Sequence, residues 1–269
     1  MDKAVILARG LGTRMRKQDP GAELSEQQQA VAATGVKALI PIDRPFLDYV
    51  LSALADAGYR RICLIIGPEH DELRRYYGEE LQYERLEVGF AIQEEPLGTG
   101  DAVAAAEQFA GDDPFLMINS DNYYPVEALE AMKGLDSCGL PLFGREGMLA
   151  GSNIPAERLL KFAVVEVGED GYMKRIVEKP SAEAVEALPP PVGVSMNCWR
   201  FDAHIFDACR AIEPSPRGEL EVTDAVQYAI DKLGVGFRTM HFESAVLDLS
   251  SREDVAGVTE RLVGKEVRL

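Results

Sequence analysis

The chain has 269 residues, with 28 Lys and Arg against 45 Asp and Glu, which gives a formal net charge of −17. This acidity argues against a nucleic-acid-binding surface, and a hydrophobic content of 46% with 27% charged residues excludes a disordered chain. No apolar run approaches the roughly 18 residues of a membrane span, so we expect no membrane partner.

The first residues and the cysteines predict a cytoplasmic protein. The apolar run before Arg9 has only five residues, Ala4 to Ala8, which is too few for the core of a signal peptide. The four cysteines include no C-x-x-C pair and lie in apolar or helical surroundings, as buried reduced thiols do. The three histidines are widely separated and make no zinc-type cluster.

Strands and helices alternate through the first half of the chain. The pattern predicts strands at 4–7, 61–66, 87–92 and 115–118, and helices at 46–57, 69–77 and 99–109. Short apolar strands separated by helices indicate a parallel sheet that is covered on both faces. Residues 18–35 are compositionally unusual, and they predict either a helical insertion or mobile lid, or a surface excursion without function.

The second half is less regular. Strands at 162–167 and 173–177 flank the hairpin turn at 169–171, and a further strand is predicted at 194–201. Helices are predicted at 182–187, 202–212, 223–233 with Thr223 as N-cap, and 255–263. We therefore predict one α/β domain over residues 1–269, with a Rossmann-like mixed, mainly parallel sheet and helices on both faces. Its nucleotide-binding half would be 1–125 and its sugar-binding half 126–269.

The strongest motif is the run L-A-R-G-L-G-T-R-M-R at residues 7–16, directly after the first strand. Its glycines let backbone N–H groups approach a phosphate closely, and Arg14 and Arg16 can neutralise phosphate oxygens. It is not a dinucleotide-binding fingerprint, because Met15 stands at the third glycine, and no Walker A loop occurs. Taken alone, it could be a tight turn with solvated arginines.

Four further segments follow predicted strands or open a helix. Gln93 begins a loop with Gly98, at the edge where open α/β sheets bind ligands, and its amide suits a nucleobase edge. Asp121 follows the strand at 115–118, Glu178 and Lys179 follow the strand at 173–177, and residues 217–225 open a helix. Each has an ordinary alternative: a Gly-capped connection, an N-cap, a solvated ion pair or a helix cap.

In this order, the five segments resemble the sugar-1-phosphate nucleotidylyltransferases, and the resemblance covers about residues 3–262. It implies a nucleotide-binding set of Leu7, Ala8, Gly10, Gly12, Thr13, Arg14, Gln93, Gly98 and Thr99. It implies Mg²⁺ on Asp121 and Asp224, and a sugar-phosphate-binding set of Asn122, Glu178, Lys179 and Asn197. The catalytic set would be Arg14, Lys37, Asp121, Lys179 and Asp224.

The chain departs from the family pattern at several points. Arg9 replaces a glycine at the start of the loop, and Lys37 lies 23 residues after Arg14, farther than is usual. Residues 162–163 and 246–250 also differ from the family, near the expected sugar pocket. No hexapeptide repeat follows residue 230, which excludes a fused β-helix acyltransferase.

The resemblance predicts an enzyme that converts a nucleoside triphosphate and a sugar-1-phosphate into a nucleotide sugar and pyrophosphate, and it favours UTP or dTTP. Alternatives are cytidylyl or guanylyl transfer to a non-hexose phosphate such as phosphocholine, a phosphonate or a cyclitol phosphate, and a catalytically silent nucleotide-sugar sensor. A nicotinamide- or flavin-dependent enzyme fits less well, because of Met15. The sequence leaves a homo-oligomer open.

Overall fold

Twelve strands were found in the computed structural model, which describes residues 1–159, 162–177, 180–181, 183, 185, 187–188 and 192–269. In these residues the strands are β1 Lys3–Leu7, β2 Arg61–Ile66, β3 Glu87–Ile92, β4 Phe115–Asn119, β5 Asn122–Tyr123, β6 Cys138–Gly144, β7 Val164–Val167, β8 Met173–Val177, β9 Gly193–Ser195, β10 Trp199–Phe201, β11 Phe237–Phe242 and β12 Leu247–Asp248.

Helices connect most of these strands. In the same residues they are α1 Thr13–Arg16, α2 Glu26–Thr34, α3 Phe46–Asp56, α4 Asp71–Arg75, α5 Thr99–Ala104, α6 Glu107–Ala110, α7 Val126–Gly134, α8 Arg145–Gly151, α9 Ala156–Leu159, α10 His204–Ala211, α11 Val222–Leu233 and α12 Arg252–Leu262. A 3₁₀ turn spans Lys37–Leu39, and a π-helical turn spans Tyr76–Glu80. No described helix has the length and apolarity needed to cross a membrane.

One large mixed sheet carries the fold. Its strand order is β3-β2-β1-β4-β10-β6-β9-β7-β8, with β11 also paired to β6 and β12 paired to β5 in a separate ribbon. The strands from β3 to β4 are parallel, as their short apolar sequences predict. β10 is antiparallel to both β4 and β6, so a strand from the second half of the chain joins the two halves of the sheet.

Helices cover both faces of the sheet. Alternate residues of β1 divide between two hydrophobic clusters: Ala4 and Ile6 pack on one face with α3, and Val5 and Leu7 on the other with α5, α10 and α11. The four cysteines are buried and free. The predicted fold class is thus confirmed.

Two local predictions need correction, and a third falls partly outside the described residues. The strand at 194–201 is divided into β9 and β10, because Asn197 takes a left-handed conformation with φ 53°. The helix at 99–109 is divided after α5, where Ala106 donates to the Val103 carbonyl three residues back, a tighter turn than an α-helix makes. The helix predicted at 182–187 lies partly outside the described residues.

The insertion at 18–35 contains a formed helix, α2. Ser25 and Gln28 make a reciprocal capping box at its start, and Gly35 ends it with φ 79°. The Gln28 side chain also donates to the Pro41 carbonyl at 2.8 Å, and Ala32 is buried. The helical part of the prediction is therefore correct.

Candidate functional site

A cleft of about 480 Å³ lies where the parallel strands end at their carboxyl edge. Ligands of open α/β sheets bind at this edge. The cleft brings together most of the predicted site residues: Leu7, Ala8, Gly10, Gly12, Thr13, Arg14, Lys37, Gln93, Gly98, Thr99 and Asp121. They come from segments that are far apart in the chain, from Leu7 to Asp121, so the fold and not local sequence assembles them.

The glycine-rich loop forms one wall of the cleft. Gly12 precedes α1 with φ 60°, and a Cβ on it would lie 2.2 Å from the Gly35 carbonyl oxygen. Only glycine permits this close approach of two backbones, so the insertion that ends at Gly35 packs directly on the loop. Gly10 has open space around it, and Arg14 is exposed in the cleft.

Arg9, which replaces a family glycine, turns its side chain toward Glu69. Two of its guanidinium nitrogens donate to the Glu69 carboxylate at 3.3 Å, and its third, Nη1, is buried without a partner among the described residues. Only 8% of the Arg9 surface is exposed. The chain thus holds an extra cation under the loop that sequence analysis noted only as a departure.

Lys37 and Asp121 form an ion pair in the cleft. Their Nζ and Oδ2 atoms are 2.6 Å apart, and less than a fifth of each side chain is exposed. The Asp121 carbonyl also accepts a hydrogen bond from the Leu249 N–H at 2.8 Å, which fixes the backbone that follows β4. The structure therefore brings the predicted phosphate-binding lysine and the predicted metal-binding carboxylate into direct contact.

Gln93 is held rigidly on the opposite side of the cleft. Its Nε2 donates to the Gly98 carbonyl at 3.0 Å and to the Asp101 carboxylate at 2.8 Å. Gly98 has φ 122°, and a Cβ on it would lie 2.5 Å from the Leu220 carbonyl oxygen. Glycine is thus required here for packing as well as for access to a ligand.

Asp224 lies in the first turn of α11 and is not among the described residues that line the cleft. Burial, followed by the charge of Glu221, raises the pKa of its carboxyl above the ordinary range. The prediction that Thr223 is the N-cap is wrong, because α11 starts at Val222, one residue before Thr223. Instead, the Thr99 hydroxyl accepts the Val222 N–H at 2.8 Å, which ties the start of α11 to the cleft wall.

The two predicted sugar-binding asparagines, Asn122 and Asn197, are not among the described residues that line the cleft. Asn122 is buried and its amide donates to Asp248 at 3.1 Å, whereas half-buried Asn197 sits in the turn between β9 and β10. The Tyr124 hydroxyl donates to the Asn197 carbonyl at 3.3 Å. Glu178 and Lys179 lie outside the described residues.

A buried polar network behind Asp121 was missed from the sequence. Arg158 donates to Asp248 and to Asp254, both at 2.5 Å, and Asp248 also accepts from Asn122 and Ser250. Burial, with the charge of Asp121 next, raises the pKa of Asp248 to about 6. Residues 246–250 differ from the family pattern, but no local signal links them to Arg158, 90 residues away from Asp248.

A sequence model of the nucleotidyl transferase family matches residues 3–240. The chain belongs to this family. The resemblance predicted from the five segments is confirmed at that level, and members of the family generally use a divalent metal.

Named relatives and solved structures agree with the family. The low-salt glycan biosynthesis nucleotidyltransferase Agl11 of Haloferax volcanii is 30% identical over 85% of this chain and 59% of its own. A glucose-1-phosphate thymidylyltransferase of Streptomyces antibioticus is 32% identical over 97% of this chain and 66% of its own. The chain thus spans less than two thirds of these relatives. A UDP-glucose pyrophosphorylase complexed with UDP-glucose superposes with a TM-score of 0.75 at 20% identity, over 99% of this chain and 100% of that one, which shows the same fold.

The cleft has donor chemistry that fits a divalent cation. Carboxylate oxygens such as those of Asp121 are suitable ligands, and a magnesium-type site uses one or two carboxylates together with substrate phosphates. Within the described ranges, no three His, Cys, Asp or Glu side chains form a preformed metal cluster. The residues present therefore fit a cation that arrives with a nucleotide.

Proposed function

We propose that this chain is a sugar-1-phosphate nucleotidylyltransferase, which converts a nucleoside triphosphate and a sugar-1-phosphate into a nucleoside-diphosphate sugar and pyrophosphate. The observation that carries the proposal is the Lys37–Asp121 pair in a cleft between the glycine-rich loop and Gln93. This arrangement provides a phosphate-binding cation, a carboxylate for a metal and a polar amide for a base at one sheet edge.

The reaction is an in-line displacement. A phosphate oxygen of the sugar-1-phosphate attacks the α-phosphorus and forms a new P–O bond. The bond from the α-phosphorus to the bridging oxygen breaks, and pyrophosphate leaves with the electron pair. No covalent intermediate on the protein is needed.

The protein must bring two anionic phosphates together. Two unit charges 4 Å apart interact with about 4 kcal/mol at an effective dielectric of about 20. Arg14 and Lys37 would neutralise the triphosphate, and Lys179 the sugar phosphate. Mg²⁺, held by Asp121 and Asp224 and by phosphate oxygens, would supply further charge neutralisation of the transition state.

The relatives support a pyrimidine nucleotide and a hexose phosphate. Their names include a glucose-1-phosphate thymidylyltransferase and a UTP–glucose-1-phosphate uridylyltransferase, the second of which is 24% identical and covered over 96% of its own length. We therefore propose UTP or dTTP as the first substrate. We also propose that the reaction takes place in the cytoplasm, because the four cysteines are free and buried, as is common in that reducing compartment.

A pyrophosphate-release assay with Mg²⁺ tests the proposal. ATP, CTP, GTP, UTP and dTTP are each paired with a panel of hexose-1-phosphates, phosphocholine and a cyclitol phosphate. We expect release only when both substrates are present. Asp121→Asn and Asp224→Asn should each lower turnover by about 100-fold while the native fold is retained. Asp231→Asn, an exposed carboxylate on the same helix as Asp224, is the matched control. Full activity of Asp121→Asn would overturn the mechanism.

A kinetic comparison of Arg14→Ala and Lys179→Ala tests the division of labour. The first should mainly weaken use of the nucleoside triphosphate, and the second should mainly raise the KM for the sugar phosphate. Identical damage from both changes would contradict the assignment.

A further inference from the structure

The side-chain amide of Gln93 has its orientation fixed by its neighbours. An amide nitrogen carries two N–H groups, and both are used: one on the Gly98 carbonyl and one on the Asp101 carboxylate. A backbone carbonyl and a carboxylate can only accept hydrogen bonds. A flipped amide would therefore face two acceptors with its oxygen and lose both bonds.

The other end of the amide remains available. Gln93 lines the cleft and only 4% of its surface is exposed, and among the described residues nothing donates to its Oε1. Gln93 thus offers a ligand an acceptor and not the paired donor and acceptor that its residue type allows. Asp101 itself is half-buried behind Gln93 and is not one of the described residues that line the cleft.

An outward-facing acceptor discriminates among nucleobases. Uracil and thymine present an N3–H, and guanine presents an N1–H, to such an oxygen. Cytosine N3 and adenine N1 carry lone pairs at the equivalent positions, so they would face Oε1 acceptor to acceptor. A buried polar group left without a partner is costly, which makes the discrimination large.

We infer that Asp101 is a positioning residue that sets base selectivity by holding the Gln93 oxygen toward the base. The inference rests on the proposed function, and it defines the nucleotide class as one with a ring N–H: UTP, dTTP or GTP. Asp101 acts only through Gln93, since it lies behind that side chain. The charge on its carboxylate strengthens the hydrogen bond that fixes the amide.

Binding calorimetry with UTP, CTP and N3-methyl-UTP tests this inference without requiring turnover. The protein should bind UTP at least about tenfold more tightly than either analogue. In Asp101→Ala this gap should fall to about threefold, because only the Gly98 carbonyl then holds the amide nitrogen and rotation of the amide costs less. Asp101→Asn should keep the gap, since its side-chain carbonyl still accepts from the Gln93 nitrogen.

Glu127→Ala is the matched control, because Glu127 is also an acid in the first turn of a helix but is exposed on α7. It should retain the full gap. An equal loss of affinity for all three nucleotides in Asp101→Ala would show a merely structural role and overturn the inference. An unchanged preference of this variant for UTP over the other two nucleotides would overturn it as well. Selective binding without pyrophosphate release would instead defeat the proposed function and leave the role of Asp101 standing.

Discussion

Gly12 and Gly10 lie two residues apart in the glycine-rich loop but have different backbone constraints. Gly12 has φ 60° and faces the Gly35 carbonyl, whereas a Cβ on Gly10 would meet nothing within 4 Å. Gly12→Ala should therefore lower the free energy of unfolding by at least about 1 kcal/mol, and Gly10→Ala by less than about 0.5 kcal/mol. Urea unfolding of both variants measures the difference. Equal effects would mean that the Gly12–Gly35 approach is not a constraint.

His70 is a second residue with a measurable effect, this time on pH dependence. Its Nδ1 accepts the Gly67 N–H at 3.0 Å, and burial lowers its pKa below 6.5, with Glu69 opposing and Arg9 adding to the shift. The unfolded chain thus binds more protons than the native one just below pH 6.5. The neutral His70 side chain therefore stabilises the fold above pH 6.5. This stabilisation is lost as the pH falls through the lowered pKa that His70 has in the folded protein.

His70→Gln tests this pH dependence, because glutamine keeps an acceptor for the Gly67 N–H but does not titrate. The free energy of unfolding of the wild type should fall relative to this variant between pH 7 and pH 5. Urea titrations at several pH values give both curves. Parallel curves would show that His70 does not contribute to acid sensitivity.

At the scale of elements, the start of α11 depends on a hydroxyl from another segment. Thr99 accepts the Val222 N–H, while Thr223 is already inside the helix. Thr99→Val should cost about 1 kcal/mol of stability, as loss of a helix cap does, and Thr223→Val should cost clearly less. Thermal unfolding distinguishes the two isosteric changes. The reverse order would restore Thr223 as the cap.

The insertion helix α2 is predicted to respond to nucleotide. It ends at Gly35, which lines the cleft, and Arg16 donates from α1 to its Thr34 carbonyl at 2.9 Å. Residues 18–35 join Arg14 to Lys37, which both line the cleft, and a segment between two such residues can become more ordered when a ligand binds. Hydrogen exchange of residues 18–35 should slow when the triphosphate is added. Unchanged exchange would identify α2 as a static surface helix.

At the scale of the whole molecule, β10 makes the two halves of the chain interdependent. Trp199 and Phe201 pair with Met117 and Phe115 of β4, and the Phe115 and Phe201 ring centroids are 5.8 Å apart. Residues 1–125 alone would leave the β4 edge and these aromatic contacts open. We expect a single unfolding transition, with equal calorimetric and van't Hoff enthalpies, and no folding of a 1–125 fragment. Two separate transitions would show that the halves are independent domains.

Strand β10 also shows which features of the fold could not be predicted from the sequence. Gln93 and Asp121 could be placed in one site because each follows a short apolar strand, and parallel strands share a carboxyl edge. The insertion of β10 between β4 and β6 carries no local signal, because hydrophobic alternation does not specify a pairing partner. For the same reason, the contacts of Arg158 with Asp248 and of Thr99 with Val222 could not be predicted.

With the roles proposed above, the Lys37–Asp121 ion pair would couple the binding of phosphate and of a cation. A phosphate that draws Lys37 away leaves the carboxylate of Asp121 without its counterion, which increases its affinity for a cation. A cation on Asp121 likewise frees Lys37 for phosphate. Because the pair is broken only once, whichever ligand arrives first makes the second bind more tightly, and by thermodynamic linkage the enhancement is equal in both directions. In the unliganded protein each side chain of the pair would thus compete with the other's proposed ligand, which would favour joint over separate occupancy of the cleft.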